Sequence, residues 1–436
     1  MFNLNQFIMQ KKNLFVGLLL CSAFLFTGCK EIMSHFDNSV DSHLQVADKV
    51  TVIGVGDTYT ITKDVDYATI SDAAPKFESQ TPAIATVNPQ TGAVKALKSG
   101  DARIKISLPD NGLYLDASAI IDIKVRVHNA DQLNANVKAL ADVDDILLAE
   151  NAAINLSDTL DLTGKQINFE GAKGAKITCG ERTPIQINGG FILSNVEIDA
   201  SSLKDPLILM NKVPGFDPVE SGQWVIKEPI KIDGVKVTGL TKNFFADSGK
   251  SYAYVNFTIN NSIIQYNTQG NVVLNMAASM AIHFNIINST FYAKTAGSAN
   301  MIALSGKRPW QITGYENETG KLICDHNTFY NMAKSKQFLN TNTLKGQKYL
   351  YEMNSNIFVD SSNKKIYGNM TNNNKQVTTD GKNTYWFDGA AFSETNYNGD
   401  AGLQSDPNFK DAANGDFTPQ GADQVANKTG DPRWLK

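Results

Sequence analysis

One short pattern constrains this chain more than any other: a polar residue or glycine, then an apolar residue three places on. It recurs as Gly164/Ile167, Asn195/Ile198, Gly234/Val237, Asn261/Ile264, Asn288/Phe291, His326/Phe329 and Ser355/Phe358, at intervals of 31, 39, 27, 27, 38 and 29 residues. A basal period near 27 with a few long exceptions fits a coil of three short strands, each resting on its equivalents in the coils before and after. A second strand per coil is legible in "LILM" at 207, "FFAD" at 244, "VVLNM" at 272, "NMIAL" at 300, "FLNTN" at 338 and "IYGNM" at 366. A third leads into the next coil, as in "YAYVNFTINN" and "MAIHFNIINS". The expected fold of residues 130–436 is all-β: a right-handed parallel β-helix, a single-stranded solenoid of roughly seven to nine coils. Alternate residues of each strand are buried, and Asn side chains at the turns stack into hydrogen-bonded ladders. An irregular array of β-sandwiches is the alternative.

Both long intervals gain their surplus at one phase, between the second and third strands: "NKVPGFDPVESGQW" (Asn211 to Trp224) and "SGKRPWQITGYENETGK" (Ser305 to Lys321). Insertions at one phase of a solenoid emerge along one edge, here about three rungs or roughly 14 Å apart at the strand spacing. They are expected to wall a shallow groove in which Trp224 and Phe216 face Trp310 and Tyr315, with Lys307, Arg308 and Asp217 near. Pyranose C–H faces stack on aromatic rings, and Lys or Arg pairs with uronate carboxylates. These residues are therefore candidate contacts for an oligosaccharide, uronate-containing if the cations are used. The competing reading folds Trp224 and Trp310 back as hydrophobic lids over exposed rungs.

Several stretches carry resemblances. "DDILLAENAAINLSDTLDLTGKQINFEGA" (Asp144 to Ala172), "INSTFY" and "DHNTFY" resemble the opening turns and coils of pectate-lyase-like β-helices. "SDPNFKDAANGDFTPQGA…GDPRWLK" (Ser405 to Lys436) resembles the closing segment of exported β-helix lipoproteins from Gram-negative glycan-utilisation systems, many of them domains of unknown function. The likeness implies a fold rather than a reaction. Ahead of the β-helix, "TPAIATVNPQTGAVKALKSGDARIKI" is similar to bacterial Ig-like group 2 domains through Ala85, Thr86, Val87, Asn88, Thr91, Gly92, Val94, Ala96, Gly100, Ala102 and Ile104. Residues 50–128, with short alternating strands, are expected to form that sandwich.

An enzyme reading stays open as a polysaccharide lyase or glycoside hydrolase acting in the same groove. A β-eliminating lyase neutralises the uronate carboxylate and places a base near C5. Lys307 and Arg308 are the catalytic candidates, and Asp247 and Glu316 the candidate calcium ligands if calcium is bound. A hydrolase needs acids on neighbouring coils, where the chain offers Asp199 and Asp233 and then Asn260, Asn261 and Asn288. His283, in "AIHFN", reads as a structural strand residue, His326 as a substitute for Asn at the ladder position, and Asp144 and Asp145 as a helix-start or capping pair. A third reading is a structural or adhesin-like surface protein.

The first 28 residues read as a lipoprotein signal: Lys11 and Lys12, the apolar run "NLFVGLLLCSAFLF", then "FTGC", which resembles a lipobox with Cys29 as the lipidated residue. Met9 is an alternative start, and 29–49 reads as a polar tether. The expected location is the bacterial outer membrane, cell surface included. Of the remaining cysteines, Cys179 and Cys324 lie several rungs apart and are expected as buried thiols. With 19% charged residues and a net charge of −4, no basic field exists to recruit nucleic acid. Only five of the 40 cations are arginine, so bidentate carboxylate recognition has few candidates. The chain reads as a monomer.

Overall fold

The computed structural model describes residues 43–46, 50–61, 65–68, 74–108, 117–211, 223–249, 251–304, 313–315, 317–340, 349–362, 366, 375–392 and 401–435. The signal, Cys29 and most of the tether lie outside these residues. Contacts group the chain into two compact units, with segments 52–57 and 96–101 falling in the second.

The N-terminal strands form a four-stranded sheet in the order 51–54, 117–126, 100–108, 76–79 and a three-stranded sheet in the order 58–60, 93–96, 85–87. Strand Gly100–Leu108 shows why: Ala102, Ile104, Ile106 and Leu108 are buried while the residues between them are not, the period of two of a half-buried strand. Val94, Ile104 and Phe77 share this core, and Val87 is half-buried. Gly92 sits at φ 67°, and a Cβ there would press on the Phe77 ring at 3.0 Å.

From residue 143 onward three parallel sheets build a β-helix. Sheet 1 runs through strands 143–147, 166–170, 191–194, 230–233, 252–260, 280–287, 320–325, 349–354 and 375–379. Sheet 2 runs through 153–156, 176–179, 197–199, 236–240, 263–268, 290–295, 328–330, 357–359 and 384–387, and sheet 3 through 160–161, 185–187, 208–210, 245–246, 274–276, 302–304 and 339–340. Helix Ala130–Ala139, which the repeat pattern does not announce, precedes the first coil, with Asn129 capping its N-terminus. Asp144 and Asp145 are not a cap: they lie in the first strand of sheet 1.

The column Ile198, Val237, Ile264, Phe291, Phe329, Phe358 follows the register read from the sequence. Its rings stack, Phe291 on Phe329 at 5.6 Å, Phe329 on Phe358 at 4.9 Å and Phe358 on Tyr385 at 5.6 Å. Each fully buried Phe contributes about 1.5–3 kcal/mol over its exposed state. The first member needs correction. Ile167 belongs to sheet 1 and pairs with Phe191, whereas Ile177, three residues after Gly174, holds the column. Gly164 and Gly174 both take left-handed backbone, φ 77° and 75°, and both are followed by Ile, so the local pattern could not tell the two corners apart.

The residue that opens each sheet 2 segment is left-handed in Asn151, Gly174, Asn195, Gly234, Asn261, Asn288, His326 and Ser355, with φ from 46° to 75°. Asn and Gly are favoured there because that backbone costs other L residues about 1–2 kcal/mol. The hydrogen-bonded ladder is displaced by one residue from the expected turn position. It runs through buried Ser262, Ser289, Asn327, Asn356 and Asn383. Asn356 Oδ1 accepts from Asn327 N and Nδ2, both at 3.0 Å, while its Nδ2 donates to Cys324 O at 2.8 Å and to Asn383 Oδ1 at 3.0 Å. Cys179 and Cys324 are buried free thiols, as expected. Burial pushes the Cys179 thiol up to about 11.

The C-terminal segment then turns back as a strap over sheet 2, against the order of the coils. Gln424 Nε2 donates to Thr384 Oγ1 at 3.1 Å, Gly430 N to Ser355 O at 2.8 Å and Asp431 N to Thr328 Oγ1 at 3.1 Å. Thr290 Oγ1 donates to Asp431 Oδ2 at 2.8 Å, and Arg433 reaches Asn261 Oδ1 at 3.0 Å. Thr290, Thr328 and Thr384 share one position of the sheet 2 register with Ile357, so the strap reads three buried hydroxyls of one column.

Candidate functional site

The described ends of the two insertions lie where the repeat placed them, between a sheet 3 strand and a sheet 1 strand. Trp224 opens a short strand, Trp224–Ile226, that pairs alongside 252–260 in sheet 1. Its ring lies 5.1 Å from that of Tyr252, its strand partner, and its buried Nε1 has no hydrogen-bond partner among the described residues. The next residue, Val225, packs on a buried apolar cluster of Ala253, Val255, Met280 and Ile282. Tyr315, from the second insertion, packs on the same cluster. The Trp224 ring thus packs on protein, and Tyr315 meets on one apolar patch the residue that follows the first insertion. Phe216, Asp217, Lys307, Arg308, Trp310 and Glu316 lie outside the described residues.

Beside this patch, the outward side chains of sheet 1 form a charged group. Phe257, Phe284, Leu322 and Tyr351 align inward, so the residues before them, Asn256, His283, Lys321 and Leu350, align on the outer face. His283 Nε2 lies 2.7 Å from Glu318 Oε2, with Glu318 supplied by the tail of the second insertion. Lys321, the register partner of His283 one coil on, has its Nζ 2.6 Å from Glu352 Oε1. About 38% of the His283 side chain and 33% of that of Lys321 is exposed, so both heads reach solvent. Asn285 Nδ2 donates to Thr258 Oγ1 at 3.3 Å on the same face. An imidazole held by a carboxylate beside an ammonium can accept a proton and neutralise an anion within one strand spacing of about 4.8 Å.

His283 is a strand residue, as expected; it points outward, and its ring is satisfied by Glu318. The signal was present in "MAIHFNII", where burial alternates from Ile282 to Ile287 and the inward Phe284 and Ile286 send His283 out with Asn285. The contribution of Glu318 depends on how the insertion returns, which no strand periodicity encodes.

Asp247 has a structural role. Its buried carboxylate accepts from Gly249 N at 2.9 Å, Ala278 N at 3.1 Å and Ser279 Oγ at 2.8 Å, tying the sheet 3 turn to the start of strand 280–287. Burial raises its pKa, and these donors oppose that rise. Among the described residues no three acids, histidines or cysteines group as a metal site. Asp199 accepts from Ser201 N and Oγ, which holds its pKa below the usual range, and Asp233 is held by Lys231 at 2.7 Å and by Asn260 at 2.8 Å.

Three family models match the chain. The bacterial Ig-like domain (group 2) matches residues 42–112, and two domains of unknown function, DUF4957 and DUF5123, match 147–294 and 322–434. The chain thus carries an Ig-like domain followed by two domains of unknown function that fall on the parallel sheets, and Glu318 and Lys321 lie in the stretch between those two matches. No curated protein matches the chain.

Proposed function

We propose that this protein binds an acidic, pectin-like polysaccharide along the outer face of sheet 1 and is held at the outer membrane by lipid on Cys29. The observation that carries the reading is the convergence of Val225, directly after the first insertion, and Tyr315, from the second, on one apolar cluster beside the solvent-open group of His283, Glu318, Lys321 and Glu352. A solenoid presents repeated outward rows at one spacing, which suits a polymer with a regular repeat. Cations carried next to an aromatic and apolar shelf suit uronate units. The soluble chain from residue 30 is expected to be retarded in a polygalacturonate gel, and His283→Ala with Lys321→Ala to lose most of that retardation. Unaltered mobility of the wild-type chain in pectic, alginate and glycosaminoglycan gels would count against binding. Incorporation of labelled palmitate that disappears in Cys29→Ser tests the anchor.

A second reading, as a lyase, is favoured by the His283–Glu318 contact. There the imidazole removes the C5 proton, Lys321 pairs with the uronate carboxylate, the C4–O4 bond breaks as the C4=C5 double bond forms, and the departing oxygen takes up a proton. Release of an unsaturated product, lost in His283→Ala and retained in Lys307→Ala and Arg308→Ala, would establish it. Loss in the latter pair would return the chemistry to the insertion.

A further inference from the structure

A recess of about 440 Å³ opens between the C-terminal strap and the corner joining sheets 1 and 2, at the end of strand 320–325 remote from Lys321. Trp434, Pro432, Leu435 and Val425 supply its apolar lining, and His326 and Lys428 its cationic groups. The Trp434 ring is fixed: Nε1 donates to Thr290 Oγ1 at 2.8 Å, and the ring meets Phe417 edge-on at 5.9 Å. Val425 leaves 53% of its surface exposed.

His326 is the unusual residue. Its corner position is occupied by Asn, Gly or Ser at the seven other left-handed corners named above, and His326 takes the same backbone at φ 52°. Its Nδ1 lies 2.8 Å from Asp325 Oδ1, and among the described residues its Nε2 has no partner. Asp325 raises the pKa of the imidazole. Lys428, left-handed at φ 53° as it ends the helix Ala422–Asn427, has no ion pair among the described residues. A rigid ring, apolar walls and two cationic N–H donors in a recess of this size complement a ligand with a flat C–H face and one carboxylate.

We propose that this recess binds a single uronate unit of an acidic saccharide, with Trp434 under the pyranose ring and His326 and Lys428 on its carboxylate. The proposal shares with the reading above only the class of ligand; the site stands on different residues. The test labels the soluble chain with 5-fluorotryptophan, assigns the Trp434 resonance by Trp434→Phe, and titrates in trigalacturonate or the neutral trigalactose. Expected is a saturable shift of the Trp434 resonance with the acidic sugar only. In the variant combining His326→Asn and Lys428→Asn, which keeps residues tolerant of left-handed backbone, at least tenfold more ligand should be needed. A Trp434 shift that survives in this variant, or that trigalactose reproduces, overturns the proposal. Shifts at Trp224 or Trp310 without one at Trp434 overturn it while leaving sheet 1 as the glycan face, and no shift at any tryptophan overturns both.

Discussion

At the corner between sheets 1 and 2, successive coils place one left-handed residue and, beside it in the later coils, one buried polar side chain that serves its neighbours above and below. At the corner between sheets 3 and 1, the chain length changes from coil to coil, and Val225, after the first surplus, meets Tyr315, within the second, over an apolar cluster. The first corner tolerates little change because each Asn satisfies a backbone N–H and a backbone carbonyl of the preceding coil, and an unsatisfied buried group costs about 1–3 kcal/mol. The second carries variation because a solenoid transmits nothing beyond adjacent coils when a loop lengthens on its surface. Constancy marks where the fold is held, and irregularity marks where the outer face acquires its particular chemistry.

The largest break of this contrast is expected from Asn356→Ala, which leaves the Asn327 and Asn383 contacts and the Cys324 carbonyl unserved. A loss of about 3 kcal/mol in urea denaturation is expected, whereas Tyr315→Ala, at the variable corner, should cost only about 1 kcal/mol because that ring is partly buried. Tyr315→Ala should nonetheless weaken retention on polygalacturonate at least as much as it weakens the fold. Asn195→Ala, at φ 54°, should cost about 1 kcal/mol and Asn195→Gly close to nothing, since the requirement there is backbone handedness. The smallest effect is a pH dependence. Asp325 raises the folded-state pKa of His326 above its usual value near 6.5, so the stability from this contact is fully present below that value. It is lost as pH rises through the folded pKa, and the loss should be absent in His326→Asn.

Much of this fold could be read directly from residues. The interval near 27, the alternation within "MAIHFNII" and the recurrence of Asn or Gly before each apolar residue are all consequences of the coil geometry. The reading slipped at Gly164/Ile167, where another corner of the same coil satisfies the same rule, and at the ladder, where the backbone need for Asn hid the hydrogen-bonding column one residue on. The outward face was half legible. The position of His283 follows from the period of two, but its pairing with Glu318, the tilted contact of Trp224 with Tyr252 and the meeting of Val225 with Tyr315 depend on how long loops return, for which no local periodicity exists. The strap's use of Thr290, Thr328 and Thr384 was hidden for the same reason: its contacts span 40 to 141 residues in sequence.

Hydrogen–deuterium exchange of the soluble chain with and without saturating polygalacturonate tests the central claim most directly. Glycan-dependent slowing in 280–287 and 320–325, the strands that carry His283 and Lys321, is the expected result. Unchanged exchange in both strands, under conditions where the glycan is demonstrably bound, would contradict the assignment of this face.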